Sequence, residues 1–252
     1  MNVLSTLGKV SRDRLLLVLG GLLLAEFLLL AIAPHDRADW LLENILVFLA
    51  VPVLYATWRW FPLSRISYLL IFAFLFLHEI GAHYTYAQVP YDAWLRSAFG
   101  FSLNEAMGWE RNHFDRMVHF SYGLLLAYPV RELYCRVALT RGFWSYFFPL
   151  DLVMASSMVF ELLEWGVAMV FGGELGMAYL GTQGDVWDAH KDMALASLGA
   201  LLAMGITAGL NLAIQDDFRE EWRESLRPDQ SGPLGEEEIG RLIRRRGKAG
   251  KK

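Results

Sequence analysis

Apolar residues along the chain fall into six long runs, separated by shorter polar segments. The runs are Leu15–Ala33, Leu41–Trp58, Ser67–Tyr86, Met117–Cys135, Trp144–Phe171 and Asp188–Ala213. A helix needs about 20 mostly apolar residues to cross a hydrocarbon core of about 30 Å. The pattern therefore predicts an all-α, polytopic membrane bundle of six transmembrane helices. The fourth run has the weakest pattern, because Arg131 and Glu132 interrupt it.

Lysine and arginine predict how this bundle is oriented. They concentrate before the first run, between the second and third, between the fourth and fifth, and at the end of the chain. These residues are Lys9, Arg12, Arg14, Arg59, Arg65, Arg131, Arg136, Arg141 and the segment RLIRRRGKAGKK. With six spans they share one side, and cytoplasmic loops carry the excess of positive charge. Both termini are therefore expected in the cytoplasm, with residues 1–213 as a six-span transmembrane domain and residues 214–252 as a charged cytoplasmic tail.

Composition narrows the function classes. The 252 residues are 55% hydrophobic, with a formal net charge of −4. The single cysteine, Cys135, excludes an intramolecular disulfide and a cysteine-based metal site. The strongly basic segment at the chain end is short, so membrane lipids and not nucleic acids are the expected partners. In the tail, Phe218, Trp222 and Leu226 lie on one stripe, which predicts a short amphipathic helix.

Ionisable side chains gather where several runs are expected to reach the outer surface. Asp115 and His119 lie four residues apart at the start of the fourth run, and Glu161 and Glu164 lie three apart in the fifth. Such spacings place side chains on one helix face. Carboxylates and imidazoles inside a membrane are costly unless they face a polar interior. The spacing predicts an outward-facing pocket with these four residues as catalytic candidates, His119 serving as general acid or base.

Two kinds of ligand fit this pocket, and the sequence leaves the choice open. Histidine and carboxylate donors suit a divalent metal such as zinc, manganese or iron. The candidate metal ligands are His78, Glu79, His83, His119, Asp185 and Asp188. Arginine instead pairs bidentately with phosphate, so a lipid-linked or phosphate-bearing substrate is the alternative. Its candidate binding residues are Arg111, Asn112, Arg116, Gln183 and Tyr84.

Other features bear on the same choice. Asp192 continues the stripe of Asp185 and Asp188, at i+7 and i+3. Arg96, Arg111 and Arg116 lie in an outer loop, against the charge bias, which predicts that they have a partner or a ligand. For Arg111 and Arg116 the alternative partners are Asp115, Asp185, Asp188 or lipid headgroups.

Two non-enzymatic functions remain open. A small proton- or ion-coupled transporter or channel would need polar residues toward the cytoplasm, for which Glu132 and Asp151 are the evident candidates. In a membrane scaffold, the same cluster would only hold helices together. Glu26 and Glu43, near the ends of their runs, are interpreted as structural.

Five segments resemble the YjdF-type bacterial inner-membrane proteins. They are PHDRADWLLEN, GAHYTYAQVP, RNHFDRMVHFSYG, ELLEW and LGTQGDVWDAHKDM, spread from about Pro34 to Leu202. That family has no established reaction, so the resemblance implies the topology and the membrane location and not an activity.

The last three runs also resemble VanZ-like proteins, small membrane proteins linked with glycopeptide-antibiotic resistance. The shared pattern places Asp115 with His119, then Glu161 or Glu164, then Asp188 or Asp192. VanZ-like sequences often have Gln where this chain has Glu164. The small residues that follow predict a close helix–helix approach. They are Ala194, Ala196, Ser197, Gly199 and Ala200.

Overall fold

In the computed structural model, helices make up most of the described residues, which are 11–173, 176, 180–228 and 234–249. No strand occurs in these ranges, so the predicted all-α fold is confirmed. The helices are α1 (Arg12–Leu30), α2 (Arg37–Thr57), α3 (Arg65–His83), α4 (Tyr91–Phe99), α5 (Leu103–Met107), α6 (Phe114–Val137), α7 (Trp144–Phe171), α8 (Asp188–Ile214), α9 (Phe218–Ser225) and α10 (Leu234–Ala249). Lys9 and residues 250–252 of the basic segment at the end of the chain lie outside the described residues.

Each of the six apolar runs forms a long helix. Three of these helices begin at a capping residue, Ser11, Asp36 or Ser64, whose side chain accepts a hydrogen bond from the first turn. Such caps satisfy backbone N–H groups that have no partner inside the helix. In the described part of the chain, α2, α3, α7 and α8 are long and apolar enough to cross a membrane. The helices α1 and α6 contain more charged residues than these four do. Six remains the predicted number of spans.

The long helices run alternately up and down. Tyr122 of α6 shares a hydrogen bond with Ser156 of α7. Farther along α6, Arg131 lies over the ring of Tyr146, near the start of α7. The two helices are therefore antiparallel, and contacts between other neighbours follow the same alternation. At one end of the bundle, named here the acid end, α2, α6 and α8 begin and α1, α3 and α7 end; the opposite end is named the basic end.

Small residues bring α6 and α8 into close contact. A Cβ atom at Gly123 would overlap the backbone of Ala196, and one at Gly199 would overlap the backbone of Phe120. The predicted close approach is confirmed at Ala196, Gly199 and Ala200, which are buried. It is wrong for Ala194, which is exposed on the opposite side of α8.

Large apolar side chains cover the outside of the bundle. Leu17 and Val170, for example, are 77% and 79% exposed. The interior contains small residues such as Ala127 and fully buried polar ones such as Asn44 and Glu79. An apolar exterior around a polar interior is the arrangement expected in lipid.

The basic end is closed by side-chain contacts. Glu132 accepts hydrogen bonds from the Ser64 backbone and the Ser67 hydroxyl, and forms an ion pair with Arg136. The predicted amphipathic helix is α9, whose Phe218 and Trp222 pack against the bundle. The third residue of its stripe, Leu226, is 53% exposed.

Candidate functional site

Three cations and two aspartates form an ion-pair network at the acid end, named here the arginine clamp (Arg111, Arg116, Asp185, Asp188 and Lys191). Arg116 contacts Asp185 at 2.5 Å and Asp188 at 2.9 Å. Arg111 contacts the same two carboxylates at 3.4 and 2.8 Å. Lys191 Nζ lies 2.5 Å from Asp185 Oδ2. All three cations thus converge on one carboxylate oxygen of Asp185.

Hydrogen bonds between side chains and backbone groups connect the loop that carries Asp185 with the loop before α6. The Asn112 backbone N–H donates to Gln183 Oε1 at 3.0 Å, and Gln183 Nε2 donates to the Asn112 carbonyl at 3.1 Å. Arg111 also donates to the carbonyl of Thr182. Gln183 has a positive φ of 46°, which is uncommon for a residue with a side chain. The paired amide contacts support that conformation.

Charge around the clamp sets the protonation of two groups outside the membrane-spanning segments. Lys191, the Trp187 backbone N–H and Arg116 donate hydrogen bonds to Asp185 and hold its pKa well below the usual range of a carboxyl. Burial lowers the pKa of His113, and the neighbouring Arg116 and Arg111 lower it further. His113 is therefore neutral at pH 7, and its Nδ1 lies 3.3 Å from Arg116 Nη1 as an acceptor.

A second group lies beside the clamp and is named here the acid–histidine cluster (Asp115, His119, Glu161, Glu164 and Asp192). His119 Nε2 lies 3.5 Å from Asp115 Oδ1 and 3.6 Å from Glu161 Oε1. Donor atoms of Asp115, His119 and Asp192 lie within 4.8 Å of one another. Glu164 is buried and lies one turn from Glu161 on the same face of α7.

Helix spacing and packing explain this cluster. Asp115 and His119 share a face of α6 at i and i+4, as the sequence predicts. Asp192 lies one turn into α8, where Gly123 lets α6 and α8 approach closely. Gly181 lies over Asp115, because a Cβ there would be 3.6 Å from Asp115 Oδ2. The loop that carries Asp185 therefore covers the acid–histidine cluster.

A third group forms between α2 and α3. The two ring nitrogens of His78 lie 3.2 Å from the Glu43 carbonyl and 2.5 Å from the Tyr86 hydroxyl. Both nitrogens are thus occupied by hydrogen bonds. Glu79 is fully buried, and neither of its carboxylate oxygens has a hydrogen-bond partner among the described residues.

The remaining candidates lie apart from the acid–histidine cluster. His83 Nδ1 lies 2.7 Å from the carbonyl of Leu30, at the end of α1. Tyr84 packs against the rings of His35, His83 and Trp94. The structure therefore joins Arg111, Arg116, Asp185 and Asp188 in the clamp, and Asp115, His119, Glu161 and Glu164 beside it. The other four candidates belong to the last part of α3 or follow it directly: His78, Glu79, His83 and Tyr84.

Comparison with known proteins identifies the family. A family model described as "Predicted membrane protein (DUF2238)" matches residues 15–212. The chain belongs to the DUF2238 family of membrane proteins. It is 39% identical over 171 residues to "Inner membrane protein YjdF" of Escherichia coli (strain K12), covering 68% of this chain and 78% of that protein. No solved structure matches.

Family membership confirms the resemblance to YjdF-type proteins and the membrane location. This DUF2238 member is an integral, multi-pass inner-membrane protein. The weaker resemblance to VanZ-like proteins stays a prediction. Because the DUF2238 match contains α6, α7, α8 and both polar groups at their ends, the geometry described above belongs to the part of the chain shared with the family.

Sequence reasoning assigned no ligand role to three residues of this DUF2238 protein that lie in or next to these groups. Asp192 was on the predicted stripe, but only the packing of α6 against α8 brings it to His119. Asp39 and Glu43 are both buried in α2, and their spacing of four residues is the signal that could have found them. Glu43 lies close enough to Asp115 for their charges to interact.

Proposed function

We propose that this protein binds a phosphate-bearing, lipid-linked or envelope substrate at the acid end and modifies it with the acid–histidine cluster. One observation carries the proposal: Asp185 Oδ2 lies within 3.4 Å of guanidinium or ammonium nitrogens of Arg111, Arg116 and Lys191. Three cations around one anionic oxygen are the arrangement that recognises phosphate. The Asp185 carboxylate occupies the position that a phosphate oxygen would take.

Access to this position favours a ligand from outside the bundle. The side chains of Arg111 and Arg116 are 15% and 14% exposed, and Lys191 is 48% exposed. A phosphate would exchange with Asp185 on these cations, while Asp188 would keep its own contacts with both arginines. A lipid-linked phosphate suits this location, because its chain can remain in the bilayer beside α6 and α8.

The proposed orientation places the clamp on the envelope side. Arg12, Arg65, Arg136 and Arg141 lie at the basic end, consistent with a cytoplasmic location under the positive-inside rule. Arg37 and Arg96 lie at the acid end against this bias, and each has a local partner there. Arg37 donates to the carbonyl of Ala31, and Arg96 pairs with Glu105.

The acid–histidine cluster provides the chemical groups for the second part of the proposal. His119 Nε2 faces Asp115 and Glu161, and Glu164 is adjacent. A histidine next to carboxylates can transfer protons near neutral pH. Because Asp115 directly precedes Arg116 in α6, a phosphate held by Arg111 and Arg116 would lie next to these groups.

Ligand binding can be tested with farnesyl phosphate, a short prenyl phosphate, and farnesol as its uncharged counterpart. The melting temperature of the detergent-solubilised protein should rise when farnesyl phosphate is added and should not rise with farnesol. Arg116→Gln should weaken binding by about tenfold or more, since charge-assisted hydrogen bonds contribute about 1.5–3 kcal/mol. Asp185→Asn should strengthen binding, because it removes the competing carboxylate.

Arg96→Gln is the matched control, since Arg96 is also an acid-end arginine with an acidic partner, Glu105. It should leave binding unchanged. Equal stabilisation by farnesol, or equal weakening by Arg96→Gln and Arg116→Gln, would contradict phosphate recognition by the clamp.

The transport alternative has less support. Glu132 is held by Ser64, Ser67 and Arg136 at the basic end. Asp151 is exposed on the outer surface of α7. Neither carboxylate continues a polar path from the acid–histidine cluster, as an ion relay would need.

A further inference from the structure

We infer that Asp115, His119, Glu161 and Asp192 form a binding site for a divalent transition-metal ion. The inference rests on the proposed function for what the ion would do, but binding itself can be measured without a substrate. It differs from the set predicted from sequence, in which His78, Glu79, His83, Asp185 and Asp188 were ligands together with His119.

Two buried carboxylate oxygens without a hydrogen-bond partner among the described residues point to a cation-binding site. Asp192 is 2% exposed, and its Oδ1 has no hydrogen-bond partner among the described residues. The Glu161 side chain is 9% exposed, and its Oε1 likewise has no hydrogen-bond partner there. Buried carboxylate oxygens are usually satisfied by a hydrogen bond, a counter-charge or a metal. Both oxygens lie in the group that surrounds His119.

The positions of the donors suit one ion. Donor atoms of Asp115, His119 and Asp192 lie within 4.8 Å of one another, and Glu161 Oε1 is 3.6 Å from His119 Nε2. Ligands at about 2.0–2.2 Å from a common ion lie about 3–4 Å from each other. Small side-chain movements would therefore complete the site. One imidazole with carboxylates is a donor set suited to Zn²⁺, Mn²⁺ or Fe²⁺.

The neighbouring arginines form no ion pair with these acids among the described residues. Arg111 and Arg116 direct their terminal nitrogens to Asp185, Asp188, Thr182 and His113. The acid–histidine cluster is thus left with four carboxyl groups and one imidazole in a largely buried space. A divalent ion would offset two of the negative charges.

The surrounding structure holds the ligands in place. Gly123 and Gly199 fix the spacing between α6, which carries Asp115 and His119, and α8, which carries Asp192. Glu164 lies one turn from the ligand Glu161 on the same face of α7, where outer-shell partners of metal ligands commonly lie. With His119 on the ion, Glu164 is the carboxyl that remains for proton transfer. The ion would act as a Lewis acid beside the phosphate.

Metal content and spectroscopy test the site. The purified full-length protein would be stripped with a chelator and titrated separately with Zn²⁺, Mn²⁺ and Co²⁺. At least one of these ions should bind stoichiometrically, and bound Co²⁺ should give ligand-field bands in the visible spectrum. Asp192→Asn and His119→Gln should each weaken binding by at least about tenfold, as losses of metal-site contacts do.

Glu79→Gln is the matched control, because Glu79 is also a buried, unpartnered carboxyl of the acid end. It should retain the ion and the Co²⁺ spectrum. Melting of each variant without metal verifies that it is folded. Stoichiometric binding that survives both Asp192→Asn and His119→Gln would overturn the site, as would the absence of binding by the folded wild-type protein.

The two proposals fail separately. Loss of farnesyl phosphate binding in Arg116→Gln with metal content retained would support both. Metal binding by a wild-type protein that ignores farnesyl phosphate would support the metal site and contradict the proposed substrate.

Discussion

Asp185 differs from its neighbour Asp188 in how it is held. Asp188 is 3% exposed at the start of α8, whereas Asp185 is 16% exposed in the preceding loop. Both form ion pairs with the two arginines, and Asp185 also pairs with Lys191. The more accessible carboxylate is therefore the one that an incoming anion can replace. Its pKa, held low by Lys191, the Trp187 N–H and Arg116, keeps it charged across the physiological range.

The lowered pKa of Asp185 gives a signed pH dependence. A carboxyl whose pKa is lower in the folded protein stabilises it fully above the unfolded pKa of about 3.9. That contribution is lost as the pH falls toward the folded pKa. As the pH is lowered from about 6 to about 3, the melting temperature should therefore decline more steeply for the wild type than for Asp185→Asn. Asp151→Asn, at an exposed aspartate of α7, should follow the wild-type curve, and an Asp185→Asn curve parallel to both would contradict this account.

Individual spacings predicted part of the site, and their limits are physical. The i, i+4 spacing correctly placed Asp115 and His119 on one face. The same spacing placed Glu79 and His83 together, but they face α1, where the charge of Glu79 interacts with Glu26 and His83 contacts Leu30. Periodicity gives the shared face of a helix but not which neighbour that face meets, so the predicted metal set combined residues from separate groups.

At the scale of elements, the α6–α8 contact determines the site more than any single ligand does. The two helices are parallel and both begin at the acid end, so Asp115, His119 and Asp192 lie at similar depth. Backbone-to-backbone contact at Gly123 and Gly199 leaves no space for a Cβ. Sequence correctly indicated a small-residue surface on α8, but its partner helix became evident only in the fold.

Substitution of these glycines should be costly in a position-specific way. Gly199→Ala forces a methyl group into the backbone of Phe120 and should destabilise the bundle by about 1–3 kcal/mol, as overpacking does. Gly205→Ala is the control on the same helix, since nothing lies within 4 Å of its Cβ position. It should be neutral or stabilising by up to about 1 kcal/mol. Thermal melting in detergent measures both, and equal effects would contradict the packing account.

Over the whole molecule, the hydrophobic pattern predicted the helices well. All six apolar runs became long helices, with ends near the predicted ones. The chain direction alternates from each long helix to the next, also across residues 84–113 between α3 and α6. The details at the acid end were not predictable, because α4, α5 and residues 180–187 adopt local structures that apolar periodicity does not encode. Residues 180–187 carry Asp185 of the clamp and the Thr182 carbonyl that Arg111 contacts.

The proposed orientation can be tested by cysteine labelling. In a Cys135→Ser background, Gln88→Cys places a thiol at an exposed position of the acid end, and Leu139→Cys does so at the basic end. A membrane-impermeant maleimide should label Gln88→Cys in intact spheroplasts and Leu139→Cys only after permeabilisation. The reverse pattern would place the clamp in the cytoplasm and contradict an envelope-side substrate.

The alternating chain direction has an electrostatic consequence for the acid end. The N-termini of α2, α6 and α8 meet there, and each helix macrodipole is equivalent to roughly half a positive elementary charge at that terminus. Asp39, Asp115 and Asp188 lie in the first turns of these three helices. Peptide dipoles therefore lower the cost of placing these three aspartates there, whereas the C-termini of α1, α3 and α7 at the same end act in the opposite sense on the remaining acids.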